Sequence, residues 1–201
     1  MQTGYLDIIT GPMFSGKSTE LLRRLLVEVS VGRNVLYINH SSDTRGSIDK
    51  ETPAPFSTHN PLLSKGEMTK FPPNITFKSS SELKSLEFFI QDFDIIGIDE
   101  AQFFSDLHIA VTYFVDNLNK HIVVSGLTGD SDRKKFGQIL DLEPFCDTYT
   151  KLSSRCSMCD PSLKINANFT YKKLLSANIV EIGGAELYTP LCRKCYLARV
   201  E

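Results

Sequence analysis

The sequence predicts an α/β fold in which helices flank a parallel sheet, followed by a small second module at the C-terminal end. Short apolar segments rich in β-branched residues recur along the 201-residue chain, and segments of helical periodicity separate some of them. A glycine-containing loop joins the first apolar segment to the first helical one. With 41% hydrophobic residues, a chain of this length can bury one substantial core.

Five segments have the composition expected of buried strands. They are short, apolar and bounded by polar or turn-forming residues. In chain order they are residues 5–10, 35–39, 95–99, 122–125 and 148–152. Their alternation with helices predicts a parallel sheet, and such sheets bind ligands at the carboxyl ends of their strands.

Two helices are expected where apolar residues repeat at helical spacing. The first follows the glycine-containing loop, and its apolar positions are Leu21, Leu22, Leu25, Leu26 and Val29. The second lies between the third and fourth predicted strands, with Ser105 as its N-cap. Its apolar face comprises Leu107, Ala110, Val111, Phe114 and Leu118.

Residues 41–80 show neither pattern. They contain five of the nine prolines and many serine, threonine and lysine residues, a composition that predicts a long loop. Residues 81–91 then predict a further helix, with Leu83, Leu86 and either Phe89 or Ile90 on one side.

The loop after the first strand fits the P-loop pattern G-x-x-x-x-G-K-[ST]. It comprises Gly11, Pro12, Met13, Phe14, Ser15, Gly16, Lys17, Ser18 and Thr19. Backbone N–H groups and the positive end of a helix dipole converge there on a polyphosphate, while Lys17 reaches the β- and γ-phosphates and Ser18 ligates magnesium. A chance loop before an ordinary helix is the alternative, but the flanking strand and helix favour a nucleoside triphosphate site.

The third predicted strand ends at Asp99, which Glu100 follows. A carboxylate at the tip of an apolar strand beside a P-loop is typical of a Walker-B position, which orients magnesium. The alternative is an aspartate that caps the next turn. Strand alternation turns Glu100 away from Asp99. Glu100 would activate water in an ATPase, accept the proton of an acceptor hydroxyl in a kinase, or lie in a solvated turn.

Two shorter motifs follow the second and fourth predicted strands. Asp43 can bind metal-coordinated water, and Arg45 can neutralise charge on a moving phosphoryl group, although a surface ion pair is the simpler interpretation. After the fourth strand, Phe136 follows a run of three cations. It can cover a base, but a solvated basic loop explains this segment equally well.

Four of the five cysteines form two C-x-x-C pairs, and 32 residues separate the pairs. They are Cys156, Cys159, Cys192 and Cys195. Thiolates at this spacing suit a tetrahedral zinc site, and four of them leave no open position for catalysis, so the zinc would be structural. Disulfides are the alternative, which a reducing cytosol disfavours. Cys146 stands alone and is expected to be a small buried apolar residue.

Composition also limits the partners that we expect. A net charge of -2 and a pI of about 6.1 give no overall attraction to nucleic acid or to an anionic membrane. No apolar stretch approaches the length of a membrane span, and the first residues lack the features of a signal peptide. We expect a cytoplasmic protein (in the host cytoplasm if the chain is viral) with no nucleic-acid or membrane partner.

Together these motifs resemble the thymidine kinases of the cellular (type II) group. The P-loop, residues 43–45, 98–104 and 134–137, the two cysteine pairs and residues 182–188 occur in the order found in that family. The resemblance spans essentially the whole chain. It implies transfer of the γ-phosphate of ATP to the 5′-hydroxyl of thymidine, and secondarily of deoxyuridine, with magnesium and structural zinc. It also implies a homotetramer or dimer with dTTP as a feedback ligand.

The resemblance further implies roles for individual residues. Glu100 occupies the position of the catalytic base, and Ser18 and Asp99 match the residues at the magnesium ion. Beyond the P-loop, the residues assigned to ATP and its phosphates are Asp43, Arg45, Asp99 and Gln102. Those assigned to thymidine are Met13, Phe103, Leu127, Phe136, Thr170, Ile179, Val180, Glu181, Ile182, Gly183 and Tyr188. The last six of these, residues 179–183 and Tyr188, match a lasso loop whose main chain grips the base and whose ends zinc fixes.

We therefore expect a P-loop nucleotide-binding domain at residues 1–152 and a zinc-binding domain with the lasso loop at residues 153–201. The alternative from another functional class is a zinc-containing P-loop ATPase that binds nucleic acid, with Glu100 activating water. A third interpretation, a binding protein with a relic P-loop, is disfavoured by the intact Lys17, Ser18, Asp99 and Glu100.

Overall fold

The computed structural model describes residues 3–43, 71–173 and 183–200 of the chain. The strands in these ranges are β1 (Tyr5–Thr10), β2 (Val35–His40), β3 (Ile75–Ser80), β4 (Ile95–Ile98), β5 (His121–Gly126), β6 (Thr148–Lys151), β7 (Ser154–Arg155), β8 (Asn166–Ala167), β9 (Phe169–Lys172) and β10 (Tyr188–Leu191). The α-helices are α1 (Lys17–Ser30), α2 (Leu107–Asp116) and α3 (Arg193–Val200). Shorter 3₁₀ segments are Lys84–Leu86, Phe89–Asp92, Ala101–Phe103, Ile139–Phe145 and Pro161–Leu163.

Six strands form one sheet in the order β3-β2-β4-β5-β1-β6, and every neighbouring pair is parallel. Their side chains alternate between two buried clusters. Ile38 and Ile98 join the cluster that contains the apolar residues of α2, whereas Tyr37 and Ile95 join the cluster that contains those of α1. Because both faces are covered, the inner strands are mostly apolar, with a few buried polar residues such as Asp7 and Ser125. This sheet confirms the predicted α/β fold.

The five predicted strands and the first helix are confirmed, and each strand lies within one residue of its predicted bounds. The N-cap prediction for α2 is wrong. That position belongs to Asp106, because its carbonyl accepts the first intrahelical hydrogen bond, from the Ala110 N–H at 2.9 Å, whereas the Ser105 carbonyl accepts from Gln138 Nε2. The helix also ends before Leu118, since Asn119 adopts a left-handed conformation with φ 53°. Leu118 still packs against the core from outside the helix.

Two predictions for residues 41–91 are wrong. Residues 75–80, assigned to a long loop, form β3 at the edge of the sheet, where only Ile75 is buried, so no apolar run marks the strand. The predicted helix at residues 81–91 is instead two 3₁₀ segments, although Leu83, Leu86 and Ile90 are buried. Here side chains compete with helical bonding: Ser80 Oγ donates to Glu82 O, and Asp106 Oδ2 accepts from Lys84 N. Residues 44–70 of the loop prediction lie outside the described residues.

The C-terminal part of the chain has its own small core, formed by Cys156, Ala167, Leu191 and Tyr196. Antiparallel β9 and β10 and the short β7–β8 pair surround it. Tyr196 also connects this module to the loop after β5, because its hydroxyl donates to the Ser131 carbonyl at 2.6 Å. The Arg133 guanidinium lies 4.8 Å from the centre of the Tyr196 ring, within the range of a cation–π contact.

Two further features bear on expectations from the sequence. Cys146, expected to be buried, is half-buried and packs against the edge of the larger core, with its thiol directed at the Glu143 carbonyl. No helix in the described ranges has the length and apolarity that a membrane crossing requires.

A buried polar cluster lies around Asp7 of β1. Its carboxylate accepts a hydrogen bond from Thr148 Oγ1, lies 3.2 Å from His121 Nε2 and 3.6 Å from Arg24 Nη1. Burial by itself raises the pKa of Asp7, but the hydrogen bonds from His121 and Thr148 and the charges of His121 and Arg24 outweigh it. The pKa of Asp7 is therefore held below its usual value.

We expect Asp7→Asn to lower the free energy of unfolding at pH 7 by about 1–3 kcal/mol, the range for losing charge-assisted hydrogen bonds. Because folding lowers the pKa of Asp7, its contribution is fully present above the ordinary value of 3.8 and is lost as the pH falls through the folded value. Urea unfolding at pH 7 and near pH 3 measures the difference between variant and wild type.

The matched control is Asp116→Asn at the exposed end of α2, which should change stability by less than about 0.5 kcal/mol at either pH. A destabilisation by Asp7→Asn that is as large near pH 3 as at pH 7 would contradict the assigned electrostatic role.

Candidate active site

The loop between β1 and α1 curls around the N-terminus of α1. Gly16 occupies the N-cap position with φ 85°, a left-handed conformation that glycine adopts without strain. Lys17 is mostly buried, and its amine donates to the Pro12 carbonyl at 3.0 Å across the loop. The Ser15 hydroxyl is buried and has no hydrogen-bond partner among the described residues. The loop therefore presents donor groups to one enclosed point.

Asp99 follows β4 and is almost completely buried, with 2% of its surface exposed. Its carboxylate accepts hydrogen bonds from the Tyr37 hydroxyl at 2.6 Å and from the Glu100 backbone N–H at 3.0 Å. The Ser18 hydroxyl of the P-loop lies close enough to influence the pKa of this carboxylate. These contacts bring the end of β4 and the start of α1 together, as the sequence predicted.

The electrostatics at Asp99 favour a cation. Burial, followed by the nearby charge of Glu100, raises the pKa of Asp99 above its usual value, although the nearby Ser18 hydroxyl and the hydrogen bond from Tyr37 oppose the shift. Burial and the Asp99 charge also raise the pKa of Tyr37 well above its usual value, so the phenol stays protonated and donates. Two neighbouring carboxylates at a buried position are stabilised when a positive ion lies between or beside them.

Glu100 begins the turn after β4 in a left-handed conformation, with φ 50° and ψ 40°. Its Oε2 atom accepts a hydrogen bond of 2.5 Å from Gln102 Nε2. Gln102 Oε1 in turn accepts from the Leu127 backbone N–H at 2.9 Å. The carboxylate of Glu100 is thus connected through one buried amide to the loop that follows β5.

A cleft of about 260 Å³ lies between the P-loop, the loop after β5 and the C-terminal module. Its lining comprises Gly11, Pro12, Leu127, Thr128, Gly129, Asp130, Arg133, Lys135, Leu140, Lys151, Asn168, Phe169 and Thr170. Near it, Phe103 and Phe136 meet edge to face with ring centres 5.6 Å apart, and the Phe136 N–H donates to the Thr128 carbonyl. The lining mixes apolar side chains such as Leu127 and Phe169 with four charged ones, three of them cations, so the cleft suits a planar ligand that carries polar or anionic groups.

Thr170 connects the C-terminal module directly to the P-loop. Its hydroxyl accepts a buried hydrogen bond of 3.0 Å from the Met13 backbone N–H. Both residues were assigned to the thymidine pocket from the resemblance, and both are buried beside the cleft or in its wall. The contact shows that the P-loop conformation depends partly on β9.

The four paired cysteines form one cluster in which all sulfur atoms lie within 4.8 Å of one another. Cys159 Sγ is 3.9 Å from Cys192 Sγ and 3.6 Å from Cys195 Sγ, and the Cys192 N–H donates to Cys156 Sγ. Burial raises the pKa of the Cys156 thiol, but hydrogen bonds from backbone N–H groups, beginning with that of Cys192, lower it to about 6. This donor set can hold a metal ion.

The remaining predicted site residues are placed as follows. Asp43 lies at the end of β2, where its carboxylate accepts from Asn39 Nδ2 at 3.3 Å. Gly183 lies just before a turn, and Tyr188 is buried at the start of β10. Arg45 and the lasso residues Ile179, Val180, Glu181 and Ile182 lie outside the described residues.

Sequence reasoning assigned no role to Tyr37, which holds Asp99 in place, or to Tyr196, which fastens the C-terminal module. A usable signal existed for Tyr37, because a tyrosine flanked by apolar residues in a strand that reads as buried needs a hydrogen-bond partner for its hydroxyl. For Tyr196 no local pattern identifies the partner, since Ser131 is distant in the chain.

Comparison with known proteins identifies similar sequences over the whole chain. The thymidine kinase family model matches residues 4–196. Thymidine kinase a of Arabidopsis thaliana is 39% identical over 199 residues, which are 97% of this chain and 76% of that protein. The thymidine kinase of Oryza sativa subsp. japonica is 39% identical over 96% of this chain and 66% of its own length. That of Choristoneura fumiferana entomopoxvirus is 37% identical over 95% of both chains.

We expect Thr170→Val to lower the free energy of unfolding by about 1–3 kcal/mol, because it leaves the buried Met13 N–H without its acceptor. Thermal or urea unfolding without substrates measures this effect. Thr170→Ser keeps the hydroxyl and serves as the matched control. Equal destabilisation by the two variants would show that the hydrogen bond is not the source of the loss.

Proposed function

The chain belongs to the thymidine kinase family and is a kinase that phosphorylates thymidine, and we propose that Glu100 is the base that accepts the proton of the thymidine 5′-hydroxyl. One observation carries this proposal. Glu100 stands at the end of β4 directly beside Asp99, and the Ser18 hydroxyl of the P-loop is close enough to Asp99 to lower its pKa. A carboxylate at this position lies next to the phosphates that a P-loop binds.

The reaction follows from these positions. The P-loop backbone and Lys17 bind the β- and γ-phosphates of ATP, and the amine of Lys17 exchanges the Pro12 carbonyl for phosphate oxygen. As the 5′-oxygen forms its bond to the γ-phosphorus, its proton passes to Glu100, while the bond from that phosphorus to the β–γ bridging oxygen breaks and ADP leaves. Catalysis rests mainly on positioning and charge neutralisation, so one base suffices.

Ser18 and Asp99 would hold the magnesium ion that accompanies ATP. Both residues offer oxygen, the ligand atom that magnesium prefers. Burial and the charge of Glu100 raise the pKa of Asp99, and a nearby cation would lower that pKa again. When bound, magnesium supplies charge neutralisation on the phosphates. Asp43 and Arg45 remain proposed contacts of ATP from family membership alone, whereas the side-chain hydrogen bonds of Gln102 lead to Glu100 and Leu127.

The cleft beside the P-loop is the proposed thymidine site. Leu127 and Thr170 in its wall, with Met13, Phe103 and Phe136 nearby, provide apolar and aromatic surface for a pyrimidine. Residues 179–183 and Tyr188 are proposed to complete the site as the lasso loop, whose main chain would bind the polar edge of the base. Deoxyuridine is the proposed secondary acceptor.

Zinc is the metal proposed for the four cysteines. With zinc–sulfur bonds of about 2.3 Å, the edge of a tetrahedron of sulfur atoms is about 3.8 Å. The separations of 3.6 and 3.9 Å between Cys159 and its two neighbours are close to that value. Because four thiolates complete the coordination, the ion would stabilise the module and take no part in phosphoryl transfer.

Family membership supports the remaining proposals. They are a nucleotide-binding domain at residues 1–152 with a zinc-binding domain at residues 153–201, a homotetramer or dimer, and feedback inhibition by dTTP. We also propose that the protein is located in the cytoplasm, or in the host cytoplasm if the chain is viral. Neither nucleic acid nor a membrane is proposed as a partner.

The decisive experiment incubates the protein with ATP, magnesium and thymidine and measures dTMP by chromatography. We expect product from the wild type. We expect Glu100→Gln to retain ATP binding but to lower kcat by about 10²–10⁴-fold, the usual contribution of a general base.

A folded, zinc-loaded wild type that forms no dTMP would contradict the proposed function, and near-normal turnover by Glu100→Gln would remove the residue from its role. The same assay with single-stranded DNA in place of thymidine tests the alternative. ATP hydrolysis stimulated by DNA but not by thymidine would identify a nucleic-acid-dependent ATPase.

We expect Cys156→Ser to lower the zinc content per chain and to raise the KM for thymidine, because a weaker metal site loosens the module that carries Thr170. Elemental analysis and steady-state kinetics measure the two effects. Cys146→Ser, which changes the cysteine outside the cluster, is the matched control and should alter neither. An unchanged zinc content in Cys156→Ser would rule out the four-thiolate site.

A further inference from the structure

We propose that Gln102 is a positioning residue for Glu100, and that its side-chain amide fixes the carboxylate in the orientation needed to accept a proton. This inference rests on the role of Glu100 given above. The resemblance to the family placed Gln102 among the contacts of ATP, but its two hydrogen bonds lead to Glu100 and to Leu127.

The direction of the amide is set by the chemistry of its partners. The Leu127 backbone N–H can only donate, so it must face Oε1, the acceptor of the Gln102 amide, at 2.9 Å. The amide nitrogen consequently faces Glu100 Oε2, at 2.5 Å. An ionised carboxylate can only accept hydrogen bonds, and accepting from an N–H donor is therefore the bond that the basic form of Glu100 can make with this amide.

Gln102 itself has little freedom to move. Only 4% of its surface is exposed, and it lies in the 3₁₀ segment Ala101–Phe103. Two glycines fit closely around it: a Cβ at Gly126 would lie 2.6 Å from Gln102 Oε1, and one at Gly137 would collide with the Gln102 carbonyl. Because the amide is held from several sides, it can restrain its neighbour without first being ordered itself.

Glu100 needs such a restraint. Its backbone is left-handed, which is uncommon for a residue with a side chain, and its long side chain has three rotatable bonds. A base must lie within hydrogen-bond reach of the proton that it accepts, and a displacement of about 1 Å can lower a rate about 10²-fold. The bond from Gln102 fixes the far end of the side chain, where rotation would displace the carboxylate most.

The chemistry requires glutamine at this position. Asparagine is one methylene shorter and cannot reach both Glu100 and Leu127 from the same backbone position. Glutamate would keep an acceptor for the Leu127 N–H but would replace the donor with a second carboxylate beside Glu100. Gln102→Glu thus removes the bond to Glu100 while conserving size and the bond to Leu127.

A double-mutant cycle tests the proposal, with Gln102→Ala, Gln102→Glu, Glu100→Gln and each combined variant assayed for dTMP formation. In the wild-type background we expect both changes of Gln102 to lower kcat by about 10–100-fold, with the KM for ATP within about twofold. In the Glu100→Gln background we expect the same changes to lower kcat by less than about threefold, because the residue that Gln102 positions is already inactive.

Gln138 provides the matched control. Its amide also joins two backbone groups, the His108 N–H and the Ser105 carbonyl, but it does not touch Glu100. We expect Gln138→Ala to leave kcat within about twofold of wild type even if it lowers the melting temperature, since it removes hydrogen bonds of the same kind. Melting temperatures of all variants separate loss of fold from loss of positioning, and Gln102→Glu covers the case in which Gln102→Ala does not fold.

Equal losses of kcat in both backgrounds would overturn the proposal, as would a raised KM for ATP with unchanged kcat, which would instead identify a phosphate contact. A wild type that forms no dTMP would overturn the proposed function as well. An active wild type with additive losses contradicts only the role of Gln102.

Discussion

The structure depends on one buried carboxylate. Asp99 is placed at the carboxyl end of the central strand β4, where water does not solvate it, and such a group is stable only with hydrogen bonds or a cation. Tyr37 from β2 and the Glu100 backbone N–H supply the hydrogen bonds, and the Ser18 hydroxyl of the P-loop lies nearby. The parallel order of the strands makes this possible, because it brings the ends of β2 and β4 and the loop after β1 to one edge of the sheet.

The sequence predicts those features whose physical cause is local. The P-loop is recognisable because its glycines, Lys17 and Ser18 have fixed spacing, and β4 because a strand buried on both faces is a short apolar run. Edge strand β3 could not be predicted, since five of its six residues are at least partly exposed and its pairing with β2 is long-range. The contacts of Tyr196 with Ser131 and of Thr170 with Met13 likewise join residues far apart in sequence.

Those two contacts connect the C-terminal module to the site at opposite sides of the cleft. Thr170 holds the P-loop backbone, and Tyr196, with Arg133 against its ring, holds the loop after β5. The cysteine cluster therefore affects the site indirectly, because the module that it orders positions the P-loop and the loop after β5. None of the cysteines lines the cleft. A structural metal would act on substrate binding in the same indirect way.

The loop after β5 also connects the proposed thymidine site with the proposed catalytic base. Leu127 contributes its side of the cleft wall, and its backbone N–H holds the amide of Gln102 that contacts Glu100. A shift of this loop would move the cleft wall and the base together, because a hydrogen-bonded chain of three residues joins them. A nucleoside that packs against Leu127 is therefore bound by the same segment that orients the carboxylate, so binding in the cleft and alignment of the base are coupled by geometry.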